Sequence, residues 1–584
     1  MSAWLRRISF PLLAGLAGAT VVLPAILFGM PNNNDLANHY HFAIPFYEAL
    51  RHGNLYPSLF ASSNLGYGDV VVRFYPPALY YLLAAGRFVT GNWYAGSLLT
   101  ITAVSAAGSL GAYVWARCYV SPNLAVAAAL FYALMPYHLA EFYQAAQLAE
   151  FSAGAALLFA LAFTRRVCDR NRWQDAALLA VAYSGLVLSH LPLAVFGSIT
   201  LLLYALISLH GRQLHNVLRN GEAEKTKSNA GVVAILSKLT LAVLIGLGAS
   251  AFYWVTMVAE MKWIVADGSN PDPLLDYSHN FVFSTFSAAQ QETIWWMGLL
   301  AIATIVMCLP AVIPPLKNFR ARDTRPFMAL CGLLLFSLAM TTVISKPVWV
   351  TLPYLRLAQH PFRWLAVTSV IAPVLMAAAV PFWRVRLRNH LRPIAIAMAG
   401  CVLIGVTFSV TQTVRGATYL SKAHFDQIVS PLNEAPGIIQ WLPVWASVAA
   451  HGKASYEKCT PPASTNGKVD AGARAARVIE WNDTKRVLAF AGGAAGDARV
   501  ATFYYPHWQA TANGQTLRTS PAADGALLVS MPAQALTVEL EFREPGRTSI
   551  AKIISIISWT LIGSLLIFGR IRDHATPEYE PIAN

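Results

Sequence analysis

Apolar runs of about twenty residues alternate with short polar turns along most of the chain. They lie near 8–29, 93–116, 122–140, 146–164, 174–190, 191–208, 237–258, 295–316, 326–344, 362–383, 393–412 and 549–569. A helix of about 20 apolar residues crosses a hydrocarbon core of about 30 Å. The pattern therefore predicts a polytopic α-helical membrane protein with about twelve transmembrane helices. A further run, Pro76 to Val89, is shorter and is interrupted by Arg87. Between 413 and 547 the period changes. Segments reading RVIEW, RVLAF, RVATFYY, ALLVSM and LTVELEF alternate in the manner of strands, and NGQ and ADG mark turns between them. This predicts a small β-sandwich. The expected organisation is a membrane domain over 1–412 with its first outer loop at 30–92, an extracytoplasmic domain over 413–547, and a last span with a cytoplasmic tail over 548–584.

Charge sharpens the picture. The chain has 584 residues, 56% hydrophobic and 12% charged, with a net charge of +14. In a soluble protein that balance would suggest nucleic acid. Here the basic residues gather in the turns 165–172, 212–227, 317–325, 384–392 and 570–572. All of these fall on the side of Arg6 and Arg7 if the run 76–89 does not cross. The positive-inside rule then puts both termini in the cytoplasm and makes 76–89 an interfacial or re-entrant helix. The first run reads as an uncleaved span. The six cysteines form no disulfide framework, and Cys459 is alone in the polar domain.

The first outer loop carries the candidate chemistry. Leu36, Tyr40, Ala43, Ile44, Tyr47 and Leu50 recur at helical spacing, which predicts an amphipathic helix along the membrane surface. Asn34 or Asp35 would cap it, Gly53 would end it, and Pro45 would kink it. Asp35, His39, His41, Asp69 and Arg73 lie in this loop. Later outer turns add Glu150, His190, Arg356, His360 and Arg363, with Glu141 and Glu260 beside them. Each could be an ordinary solvated loop charge, and Asp35 a plain helix cap. As a set, ionisable groups at membrane depth point to a site. No nucleotide-binding fingerprint or metal-ligand spacing stands in a suitable context.

Four stretches, NDLANHYHF (34–42), GNLYPSLFASSNLGYGDVVVRFYPPALYYL (53–82), LPYLRLAQHPFRWL (352–365) and FYYPHWQATANG (503–514), resemble the GT-C superfamily of membrane glycosyltransferases. The closer resemblance is to its bacterial branch labelled 6-pyruvoyl-tetrahydropterin synthase-related membrane proteins, beside the YfhO-like proteins. The pterin label implies no pterin chemistry.

The resemblance implies a site on the outer face of the bacterial cytoplasmic membrane. It would take a polyprenyl-phosphate-linked sugar from the bilayer and pass the sugar to a glycan, lipid or protein acceptor. Asp35 would be the general base. Arg356 and Arg363 would meet the phosphate, with His39, His41, Asp69, Arg73, Glu150, His190 and His360 as further substrate contacts. Many GT-C enzymes carry two adjacent acids where this chain has Asn34–Asp35. One carboxylate is a poor divalent site, so a divalent metal is possible but not obligatory. The competing readings are a transporter or flippase of lipid-linked saccharide, which would show repeated broken helices, and a non-catalytic scaffold.

Overall fold

The structure, a computed structural model, describes residues 3–33, 35–220, 225–264, 276–284, 288–317, 325–433, 437–446 and 467–574. Asn34, Asp267, Asp272 and Cys459 lie outside them. Among the described residues nine helices are long and apolar enough to cross a membrane. The pair Pro122–Ala133 and Pro136–Tyr143, bent by 47°, brings the number to ten if it is one span. Two shorter helices, Trp173–Ser189 and Arg325–Met340, stand where two more spans were expected.

The loops sort onto two ends of this bundle. At one end Asn33 Nδ2 donates to the Phe142 carbonyl at 3.3 Å, and Gln144 Nε2 to that of Thr413 at 2.7 Å. At the other, Lys238 Nζ donates to Asn171 Oδ1 at 2.8 Å, and Gln174 Nε2 to the Leu566 carbonyl at 3.2 Å. The basic turn 165–172 belongs to the second end, and the first loop with the turn after Tyr143 to the first. Residues Met30–Asn32 pair antiparallel with Thr418–Leu420, so the first loop and the segment after the eleventh apolar run share one end. Gly29, at φ +119°, lets the strands meet there, because a Cβ would collide with the Leu420 carbonyl.

The expected loop helix forms over Leu36–Arg51, with Asp35 at its N-cap position, Pro45 inside it, and Gly53 beyond its end at φ +82°. It does not lie on a surface with one face in water. Ten of its sixteen residues are buried, His39 and His41 among them. Its outer side is covered by Lys422–Val429, where Phe425 packs edge-on against Tyr40 at 5.2 Å. The run 76–89 becomes the helix Ala78–Thr90, turning at Gly91 and Asn92 into Trp93–Ala116. Thirteen residues at 1.5 Å each span roughly 20 Å, less than the hydrocarbon thickness. The two helices press together at Gly86 and Gly96, where any side chain would strike the other backbone.

Residues 469–542 form two antiparallel sheets, one of four strands and one of five. Their alternate residues, among them Leu488, Val500, Ala510, Leu527 and Val538, fill one shared core, which makes the predicted sandwich. The strands Trp508–Ala512 and Gln515–Leu517 are joined by Asn513 and Gly514 at φ +51° and +77°. That is the two-residue turn whose twist matches the flanking strands.

Candidate functional site

Glu150 lies in the first turn of Leu148–Arg170 and is 1% exposed. Tyr137 Oη donates to its Oε1 at 3.2 Å. Arg363 Nε faces its Oε2 at 3.2 Å as an ion pair without hydrogen-bond alignment. His190 Nε2 stands 4.0 Å from the same oxygen. Three separate elements supply these partners. Tyr137 comes from the bent half-helix. His190 marks the break between two helices, where its Nδ1 accepts from the Leu193 N–H at 3.3 Å. Arg363 ends the 3-10 turn Pro361–Arg363 that opens the helix Trp364–Arg386.

The first-loop helix brings the other half. His39 Nε2 pairs with the Ala146 carbonyl at 3.0 Å, so this nitrogen carries the proton. Nδ1 then accepts from Tyr80 Oη at 3.3 Å. Burial lowers the His39 pKa, against the pull of the Asp35 charge, so the ring is neutral at pH 7. Asp35 occupies the N-cap position yet makes no capping hydrogen bond. Its carboxylate receives the Asn38 amide at 3.2 Å. It lies within electrostatic reach of His39, Tyr75, Tyr80 and Glu150. Arg363 is likewise within reach of Tyr75, Tyr137, His190 and His360.

Asp35, His39, Glu150, His190, His360 and Arg363 thus gather in one region. Its polar atoms are under-used. Glu150 Oε2, Glu141 Oε1, His138 Nε2, His360 Nδ1 and Arg363 Nε are buried with no hydrogen-bond partner. Buried polar atoms in this state cost free energy unless something satisfies them. Both donors and acceptors are left open, which suits a ligand rich in hydroxyls. Among the described residues no group of three or more metal-ligating side chains is arranged to hold an ion.

The remaining candidates lie elsewhere. His41 is turned to the Leu432 backbone. Asp69 Oδ1 accepts the Val71 N–H at 2.8 Å, and Asp69 is 5% exposed. Beside it Asn64 Oδ1 takes the Gly437 N–H at 2.5 Å. Asp69 therefore shapes its own loop. Arg356 is exposed at the rim and donates to the Val350 carbonyl at 3.0 Å.

Arg73 requires a correction, because it is committed to two carboxylates. Its Nε and Nη2 donate to Glu260 at 2.6 and 2.9 Å. Its Nη1 and Nη2 donate to Glu544 at 2.5 and 3.0 Å. The last donor reaches the Ser58 carbonyl at 3.3 Å. Glu260 also accepts from Tyr505 at 2.8 Å, His507 at 2.8 Å and Arg547 at 2.6 Å. All five guanidinium hydrogens are used, so Arg73 has nothing left for a substrate. It ties the first loop to the sandwich and to the last helix. Tyr75, Tyr80 and Tyr137 were not foreseen as site residues. Nothing distinguishes them in sequence among 23 tyrosines.

Taken together, a bundle of apolar helices, a β-sandwich and a buried charged cluster at one end define a polytopic membrane protein. The chain belongs to the family of 6-pyruvoyl-tetrahydropterin synthase-related membrane proteins, whose family model matches residues 72–419. No curated protein matches it. Among solved structures it is similar to the apo oligosaccharyltransferase of Archaeoglobus fulgidus, at 13% identity and a TM-score of 0.40 over 77% of this chain and 58% of that one. It is also similar to ArnT from Cupriavidus metallidurans bound to undecaprenyl phosphate, at 12% identity and a TM-score of 0.38 over 71% of this chain and 78% of that one. The chain thus covers less than two thirds of the archaeal enzyme's length.

Proposed function

We propose that this chain is a membrane glycosyltransferase of GT-C type, with its site at the outer face of the bacterial cytoplasmic membrane. It moves a sugar from a polyprenyl-phosphate donor to a hydroxyl of an envelope glycan, lipid or protein. One observation carries the reading. Asp35 holds a cap position without capping, in reach of a buried cluster whose donors and acceptors await a partner. The Asp35 carboxylate takes the acceptor's proton as its oxygen bonds to the anomeric carbon, and the bond from that carbon to the phosphate oxygen breaks. The Arg363 side chain is 15% exposed beside Glu150, so part of its guanidinium can face the leaving phosphate. His39, Glu150 and His190 stand in the same cluster and position the hydroxyls.

The test is sugar transfer by membranes supplied with a labelled polyprenyl-phosphate donor, with thermal unfolding alongside. Asp35 makes no capping hydrogen bond and an asparagine oxygen can still accept from Asn38, so Asp35→Asn should leave the fold intact. Loss of a general base should lower turnover by about 100- to 10,000-fold. Transfer at the wild-type rate would refute the catalytic role. The topology has its own check, single-cysteine labelling at Asn92 and Asn171. Asn92 should react from outside and Asn171 from the cytoplasm, and the reverse for either would remove the site from the outer face.

A further inference from the structure

Residues 437–446 lie between the first loop and the sandwich and are fixed to both. The Gly437 N–H donates to Asn64 Oδ1 at 2.5 Å. Leu442 is 1% exposed and packs with Tyr67 of the first loop and Phe503 of the sandwich. Trp445 stands edge-on to Tyr504, with ring centres 4.9 Å apart and planes at 85°. The segment also closes on itself. The N–H groups of Trp441 and Ala446 donate to the carbonyls of Ile438 and Pro443 at 3.0 and 2.9 Å.

On this anchored segment Trp441 is only half-buried. It stands edge-on to Tyr75, with ring centres 5.7 Å apart and planes at 79°. Tyr75 is half-buried as well. Its remaining ring neighbours belong to the site or to the helices that carry it: His39 at 6.3 Å, Phe42 at 5.1 Å and Tyr80 at 5.8 Å. Tyr75 also lies within electrostatic reach of Asp35, Arg363 and Glu150. Leu188 and Leu191, on either side of His190, pack on the same apolar cluster as Trp441. Two partly open rings thus form a corner beside the region where Glu150, His360 and Arg363 keep unsatisfied polar atoms.

We propose that Trp441 and Tyr75 form a saccharide subsite beside Asp35, so that the acceptor is a glycan. A pyranose carries C–H groups on its faces and hydroxyls around its rim. Aromatic rings cover the first, and a few placed polar side chains hold the second. A peptide acceptor is bound largely through its backbone, and the N–H groups of Trp441 and Ala446 are already spent inside the segment. Trp441 comes with the sandwich rather than with a membrane helix, which suits a ring that holds the acceptor and not the bilayer-borne donor. The bound sugar's role as acceptor rests on the transferase reading, but its binding does not.

The test is binding of the full chain, in detergent micelles and without donor, to an array of bacterial envelope glycans and to an array of serine- and threonine-containing peptides. The wild type should bind a defined set of glycans and no peptide. Trp441→Leu keeps an apolar side chain at the position and removes the ring. It should weaken glycan binding about tenfold, the scale of one aromatic anchor, with the unfolding midpoint unchanged. Trp441→Phe keeps a ring and should retain most of the binding. If leucine lowers the midpoint, the phenylalanine variant decides: a loss as large as that of Trp441→Leu would overturn the proposal. So would wild-type binding by Trp441→Leu, binding of peptides in place of glycans, or no glycan bound at all. No sugar transfer enters this assay. Glycan binding through Trp441 without transfer would remove the transferase reading alone, and transfer by a chain that binds only peptides would remove the subsite alone.

Discussion

Arg73 and Arg363 are both carried by loops at the same end of the bundle, and each faces a buried glutamate. Arg73 is 3% exposed and spends every donor, four on carboxylates of Glu260 and Glu544. Arg363 is 15% exposed, its Nε lacks an aligned acceptor, and Glu150 Oε2 opposite is equally unsatisfied. A saturated ion cluster has the geometry of a clamp, because any further partner would have to displace an existing one. An unsaturated cluster pays for its burial only when something else binds. Charge and burial look alike at the two places. The difference that separates structure from chemistry is the count of unused donors and acceptors.

Removing each arginine sharpens that contrast. Arg73→Leu leaves Glu260 fully buried, still paired with Arg547 and His507, and leaves Glu544 without its cation. Breaking one partner out of a buried pair costs about 3–5 kcal/mol, so the protein should accumulate poorly and unfold early. Arg363→Gln should cost less stability, because Arg363 Nε makes no aligned hydrogen bond to lose and Glu150 keeps Tyr137. Sugar transfer should nevertheless fall by about 100- to 1,000-fold, the range for losing one electrostatic stabiliser of developing charge. Thermal unfolding and transfer measured on both variants decide the matter. An equal stability loss at the two sites, with transfer untouched by Arg363→Gln, would erase the distinction.

The sequence allowed some of this to be read and hid the rest for identifiable reasons. The bundle was legible because long apolar runs have few other uses, and the sandwich because alternation and the Asn513–Gly514 turn are local signals. The helix Leu36–Arg51 was legible in its period and misleading in its exposure. Its cover, Lys422–Val429, arrives nearly four hundred residues later, and periodicity carries no information about it. Asp35, His39, Glu150, His190, His360 and Arg363 could be singled out because ionisable groups are scarce in a chain with 12% charged residues. The same scarcity argument selected Arg73 and Asp69, which the structure gives local tasks. A charge that binds substrate and one that pins a loop are written with the same letters. Only the partner tells them apart, and Glu544 stands 471 positions from Arg73.

The smallest expected effect concerns two acids that resemble each other in sequence and titrate in opposite senses. Burial pushes the Asp69 carboxyl up to about 7, although hydrogen bonds from Val71 and Asn64 pull against it. Burial also acts on Glu260, but His507 and Arg73 outweigh it and hold that carboxyl well below the usual range. Asp69 is raised, so the unfolded chain loses this proton near pH 4 while the folded chain keeps it until about 7. Its contribution to stability therefore falls as pH rises across that window, by up to about 1.4 kcal/mol per pH unit. Glu260 is depressed, so its contribution is present above its unfolded pKa and is lost as pH falls below about 4. Asp69→Asn imitates the protonated acid and still offers an oxygen to the Val71 N–H. Unfolding midpoints of wild type and Asp69→Asn, taken from pH 4 to 8, should converge at the acid end. The variant should be the more stable at the alkaline end, with wild-type transfer throughout. Parallel curves would show that burial does not govern Asp69. A loss of transfer in the variant would return Asp69 to the site and weaken the division between clamp and chemistry.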